Sequence, residues 1–149
     1  MIILDTDFAP WEGERPKGRV QFSVYDEQVL MYVISGRIDK NLFDVFSSIH
    51  GPALKKIKHG GGRWYAMFVF SDVTEVTDEA LDVLHYYLVA LKEKQLLSQY
   101  AALVFPDEYF FSKDKQAAFL ECYTTAGATS KGFQRENDAL DWLFSCGES

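Results

Sequence analysis

Residues 64–84 read WYAMFVFSDVTEVTDEALDVL. The first seven, WYAMFVF, form an unbroken apolar and aromatic run. A strand with one wet face alternates apolar and polar residues, so a continuous run predicts a central strand covered on both faces. The chain then turns acidic and threonine-rich over SDVTEV before a helical pattern begins. Thr77 has the hydroxyl expected of a helix N-cap. Asp78 and Glu79 follow in the first turn, where the helix dipole favours negative charge. Val76 and Leu81 fall at the two positions of a hydrophobic staple. Leu81, Leu84, Leu88 and Leu91 then make one stripe. KEKQ closes the helix with cations at its negative end. The segment reads as a buried strand, an acidic joint and an amphipathic helix, which is the unit of an α/β sheet.

The same pattern extends in both directions. Upstream, VQFSVYDEQVLMYVISG (residues 20–36) gives two apolar runs around Asp26-Glu27-Gln28, a hairpin pattern. Leu42, Phe43, Phe46 and Ile49 repeat at helical spacing, with Asp39 or Asn41 as the cap. Gly51-Pro52 should interrupt that helix, with Leu54 and Ile57 adding a further turn. Downstream, YAALVF reads as a second buried strand stopped by Pro106. SKDKQAAFLECYTTAG is a helix with Gly127 as its C-cap. KGFQR is a short strand, and ENDALDWLF a last amphipathic helix with Leu140, Leu143 and Phe144 inward. The order is β-β-α-β-α-β-α-β-α. It predicts a single α/β domain over residues 20–149, with a mixed, mostly parallel sheet of about five strands and about four helices. Residues 1–19, with Pro10, Gly13, Pro16 and Gly18, read as an irregular N-terminal extension that packs onto the domain or contacts a partner.

Composition bounds the function. The chain has 149 residues, 48% of them apolar and 15% aromatic, enough for one domain with a sizeable core. Fifteen Lys and Arg against 22 Asp and Glu give a net charge of −7. That argues against nucleic acid and against an anionic membrane surface as partners. No apolar stretch approaches a transmembrane span, and MIILDTDFAP lacks the basic start and apolar centre of a secretory signal. Cys122 and Cys146 make no disulfide framework, so a cytoplasmic protein with reduced thiols is expected.

Four short patterns, in this order and spacing, resemble the STAS domain in its SpoIIAA-like branch. They are GRID at residues 36–39, the apolar strand leading into SDVTEVTDEALDVL, AALVFPDEYF, and GFQRENDALDWL. The resemblance runs from about Val20 to Phe144. It implies an α/β regulatory domain that binds a protein partner, such as an anti-sigma-like kinase or another regulator. In the anti-sigma antagonist members, a serine at the start of the helix after the central strand accepts phosphate, which turns partner binding off. Here that position falls on or near Asp78. The acidic residue before it falls on Thr77, and the Ser-Gly after it becomes Glu79-Ala80. The usual phosphoacceptor is replaced by a fixed carboxylate.

The candidate sites follow from both readings. A strand-end surface of Asp39, Asp72, Thr74, Thr77 and Asp78 would meet the partner, because ligand surfaces of open α/β sheets lie at strand C-terminal ends. Helix stability alone also accounts for Thr77-Asp78-Glu79, at roughly 0.5–2 kcal/mol for such a cap. The rival reading is a carrier or sensor of a small apolar molecule, with a pocket near Tyr87 and Phe110, since PDEYFF places aromatics in a loop. HGGGR at residues 59–63 precedes a strand and lacks the Gly-Lys-Ser/Thr ending of a phosphate loop, so it reads as a connector. His50, His59 and His85 have no metal-ligand spacing, and Cys122 reads as buried and inert. No metal, no cofactor and no catalysis are expected, and a homodimer is compatible with the sequence.

Overall fold

The computed structural model describes residues 2–9, 15–25, 28–54, 64–106 and 113–147. Asp26, Glu27, Ile57, the loop at 59–63 and Phe110 with the rest of 107–112 lie outside them. Six strands form one sheet in the order β1-β2-β3-β4-β5-β6. They are β1 (Ile2–Asp5), β2 (Arg19–Tyr25), β3 (Val29–Ile38), β4 (Tyr65–Val76), β5 (Tyr100–Val104) and β6 (Thr129–Phe133). The first three pair antiparallel and the last four parallel. Four α-helices follow the later strands: α1 (Lys40–Leu54), α2 (Asp78–Glu93), α3 (Lys113–Ala126) and α4 (Glu136–Gly147). The mixed α/β architecture is the expected one. The sixth strand comes from the N-terminal stretch, whose residues 2–5 pair with β2 as an edge strand.

The continuous run in β4 is buried on both faces, every residue from Trp64 to Phe70 lying below a tenth of full exposure. Ala66, Phe68 and Phe70 face α1, α2 and α3, with Leu84, Leu88, Phe119 and Tyr123 packed over them. Tyr65, Met67 and Val69 face the other way, against Ala139 and Leu143 of α4. The helices α1, α2 and α3 pack on one face, and α4 covers the second.

Three elements differ from the sequence reading. The acidic joint after Phe70 is strand, not loop. β4 runs on to Val76, and only Thr77 separates it from α2. Two register shifts against β3 accommodate this: Ile34, Gly36 and Arg37 stand opposite Phe70, Val73 and Glu75. β4 therefore carries two extra residues, and bulges of this kind twist a strand and re-aim its side chains. α1 does not break at Gly51-Pro52 but includes both in its last turn. Proline so near a helix end forfeits a single backbone bond, and the cost is outweighed by burial of the neighbouring Ala53 and Leu54. The C-terminal end of α3 is as expected: Gly127 has φ +108, and Ala128 N–H donates to Tyr123 O at 3.0 Å in a Schellman-type closure.

Candidate interaction surface

Parallel pairing of β3 with β4 brings Ile38 level with Val76. Thr77 N–H then donates to Ile38 O at 3.0 Å. The caps of α1 and α2 are thereby set side by side at the C-terminal ends of adjacent strands. Asp39, rather than Asn41, caps α1: its Oδ1 accepts from Leu42 N–H at 3.0 Å. Thr77 caps α2, with Oγ1 accepting from Ala80 N–H at 3.1 Å. These are the local bonds that the sequence chemistry anticipates.

The carboxylate after the cap has a different situation. The Asp78 side chain is 98% exposed and lies 3.6 Å from Lys115 Nζ. Lys115 also donates to Val76 O at 3.4 Å, which ties α3 to the end of β4. Glu75 and Glu79 are exposed beside it. Asp72 and Thr74 are also exposed, on the stretch of β4 where the register shifts occur. Asp72 has φ +57, a left-handed conformation that Asp tolerates better than most side chains. The structure thus joins Asp39, Thr77 and Asp78 at two neighbouring helix starts, with Thr74 and Asp72 earlier on the same strand. Arg37, which the sequence reading passed over, crosses this surface. Its Nε lies 3.2 Å from Asp39 and 3.5 Å from Glu75.

Tyr87 belongs to a separate arrangement in the core. His50, only 3% exposed, sits between two tyrosine hydroxyls, Tyr32 Oη at 2.6 Å from Nε2 and Tyr87 Oη at 2.5 Å from Nδ1. Phe22 and Phe46 stack on the imidazole. Burial pushes its pKa down to about 3, so the ring is neutral, with one nitrogen donating and the other accepting. Burial likewise pushes Tyr87 up to about 12 and raises Tyr32 well above its ordinary value. Two small apolar cavities flank this relay. One, of about 40 Å³, lies among Tyr32, Leu42, Phe70 and Phe119; the other, of about 20 Å³, is lined by His50, Tyr87 and Trp64. No spacing rule in the sequence points to this triad, because its members come from β3, α1 and α2.

Cys122 donates weakly to Leu81 O at 3.8 Å, and burial pushes its thiol pKa up, the direction of an unreactive side chain. Among the described residues no group of three His, Cys, Asp or Glu is placed to hold a metal ion. Among them, too, no helix is long and apolar enough to cross a membrane.

No protein-family model matches the chain, and no curated protein matches its sequence. A solved structure does match in shape. It is the crystal structure of an uncharacterized protein of the DUF3478 family with a SpoIIAA-like fold, from Shewanella loihica PV-4. The two share 17% identity with a TM-score of 0.58, over 90% of this chain and 99% of that one. The chain has a SpoIIAA-like fold, as the short patterns in its sequence implied.

Proposed function

We propose that this SpoIIAA-like domain is a non-catalytic regulatory module of the cytoplasm that binds a protein partner through Asp39, Asp72, Thr74, Thr77 and Asp78. The partner is an anti-sigma-like kinase or another regulator with a basic contact face. The supporting observation is the exposed carboxylate at the start of α2. Thr77 alone supplies the cap, so Asp78 is not needed to close the helix and presents its charge to solvent. Asp72, Glu75 and Glu79 extend the negative rim, and Lys115 offsets only part of it. Such a rim attracts a basic surface at long range and loses that attraction as salt rises. By resemblance, relatives place a phosphorylatable serine here. A permanent carboxylate carries less charge and fewer acceptor oxygens than a phosphate, so it would act as a partial, unswitched version of that signal.

Affinity capture from the native cells, comparing wild type with Asp78→Lys, tests this. Charge reversal should abolish recovery of the partner, and wild-type recovery should fall with added salt. Thr77→Ala should cost about 1 kcal/mol of stability and weaken recovery through fraying of the helix start. If Asp78→Lys and Thr77→Ala both leave every captured protein untouched, this surface is not the contact. The rival reading, an apolar-ligand carrier near Tyr87 and Phe110, has less support. Ligand pockets usually enclose roughly 300–1,000 Å³, against about 40 and 20 Å³ beside the His50 relay.

A further inference from the structure

The relay around His50 holds one proton more than its own contacts can use. Each contact, Tyr32 Oη to Nε2 at 2.6 Å and Tyr87 Oη to Nδ1 at 2.5 Å, takes one proton. The imidazole is buried among aromatic rings, and the cavity wall beside it includes no carboxylate. It is therefore neutral and supplies a single N–H. The two phenols supply one O–H each, so three protons meet two contacts. Whichever tyrosine accepts the imidazole N–H keeps its own hydroxyl proton and needs an acceptor elsewhere. Tyr32 is poorly placed for that. It is 1% exposed and packed against the rings of Phe22, Phe46 and Phe68. A hydroxyl proton left without an acceptor there would cost the desolvation of a buried donor. Tyr32 therefore donates to Nε2. Nδ1 carries the hydrogen and donates to Tyr87, because the bond made by one ring nitrogen sets the state of the other. The surplus proton falls on Tyr87.

Tyr87 borders a space that can receive it. The smaller cavity beside the relay, of about 20 Å³, is lined by Tyr87 and His50 together with Trp64 and Ser98. Trp64 is 5% exposed and Ser98 3%. An indole N–H and a hydroxyl buried so deeply call for hydrogen-bond partners. The rest of the wall is leucine and aromatic. Volume decides the occupant. One water requires roughly 10–15 Å³ and two to four polar partners, whereas an organic ligand requires several hundred Å³. The larger cavity, of about 40 Å³, is walled almost wholly by aliphatic and phenyl side chains, and a cavity of that kind stays dry. We propose that the smaller cavity is a site for one internal water, which accepts the Tyr87 hydroxyl proton, bonds Ser98 and Trp64, and fixes His50 as the Nδ1–H tautomer. The water extends the relay from β3, α1 and α2 to the segment that leads into β5. It lies in the core, apart from the surface of Asp39 and Asp78, and does not depend on the contact proposed there.

Two measurements on the intact protein test this. Histidine side-chain ¹⁵N correlation spectra report the tautomer. His50 should show a protonated, pyrrole-type Nδ1 and an unprotonated, pyridine-type Nε2. A high-resolution crystal structure should show a single ordered water about 3 Å from Tyr87 Oη, and water-selective NOE spectra should show the same molecule as a long-lived contact of the Trp64 indole N–H. Ser98→Val replaces the hydroxyl by two methyl groups and should expel the water, abolishing the Trp64 contact while the circular dichroism spectrum is retained. Tyr87→Phe removes the proton that the water accepts and should lose the contact too. The proposal is overturned by a protonated Nε2 in the wild type, by the lack of a long-lived water at Tyr87 and Trp64, or by a water contact that survives unchanged in both variants.

Discussion

His50 is the residue whose chemistry departs furthest from its sequence context. It lies on a helix otherwise read from its apolar stripe, and nothing near it in sequence marks it as special. In the fold it bridges two tyrosines from other elements. Its burial has a pH consequence with a definite sign. The unfolded chain takes up a proton near pH 6.5, while the native ring does so only at about 3. Between those limits the unfolded state binds more protons, so stability is full above pH 6.5 and declines as pH falls, at roughly 1.4 kcal/mol per unit. His50→Gln keeps a donor and an acceptor but cannot titrate. Urea unfolding measured from pH 6 to pH 4 should therefore show a shallower loss of stability in His50→Gln than in wild type, by about one proton in slope. Equal slopes would mean that His50 is not held neutral. By contrast, Asp39 and Thr77 act through bonds to amides three residues on, and such caps are legible in the sequence. The Arg37 contacts and the His50 relay span strands and helices, and a single sequence does not encode their meeting in any local pattern.

Among the elements, β4 shows why buried strands are easier to read than exposed ones. Residues 64–70 declare themselves because both faces are covered and every side chain is apolar. Residues 71–76 are equally part of the strand, yet their polar sequence hides it. Their pairing to β3 depends on the bulges, and those depend on the backbone freedom of Gly36. β5 stops at Val104, opposite Val69, so the last part of β4 overhangs it. This overhang is what lifts Asp72, Thr74 and Glu75 into solvent next to the helix starts. Residues 17 and 18 cross β3 beside the bulge in direct backbone contact, a Cβ on Gly36 falling 2.6 Å from Lys17 O and one on Gly18 2.2 Å from Arg37 O, and this crossing braces the overhang. Gly18→Ala tests that brace. A methyl at 2.2 Å from a backbone oxygen cannot be relieved by a side-chain rotation, so the two segments must separate. The loss should be about 2–4 kcal/mol by denaturant unfolding, within the range of overpacked or strained sites. Heteronuclear shifts should concentrate at residues 36–38 and 73–77. A loss under about 0.5 kcal/mol, the range of an ordinary surface substitution, would show that the crossing is not a rigid part of the fold.

For the whole molecule the open matter is where the domain begins. Prolines and glycines made residues 1–19 read as an appendage, and a four-residue strand carries too little periodicity to be seen. The structure gives this stretch several attachments. β1 completes the antiparallel edge of the sheet against β2. Asp5 is buried and paired with Arg19. Burial by itself would raise its pKa, but the Arg19 guanidinium and the Asp7 N–H outweigh that and hold it below the ordinary carboxylate value. Thr6, also buried, accepts from Val20 N–H at 2.9 Å. Removing residues 1–8 would release the partly exposed Arg19 to solvent, leave the Val20 amide without its partner and uncover the edge of β2. An uncovered edge strand is a template for pairing with another chain. We expect the truncated protein to lose about 1–3 kcal/mol, from the Val20 amide left without its acceptor. It should also sediment as a concentration-dependent oligomer where the full chain does not change with concentration. If the truncated chain keeps its Tm and its sedimentation profile, the first eight residues are an accessory extension, and the domain proper starts at β2. If it loses both, residues 2–8 are an integral part of the domain, held there by the β1–β2 pairing and by the bonds of Asp5 and Thr6.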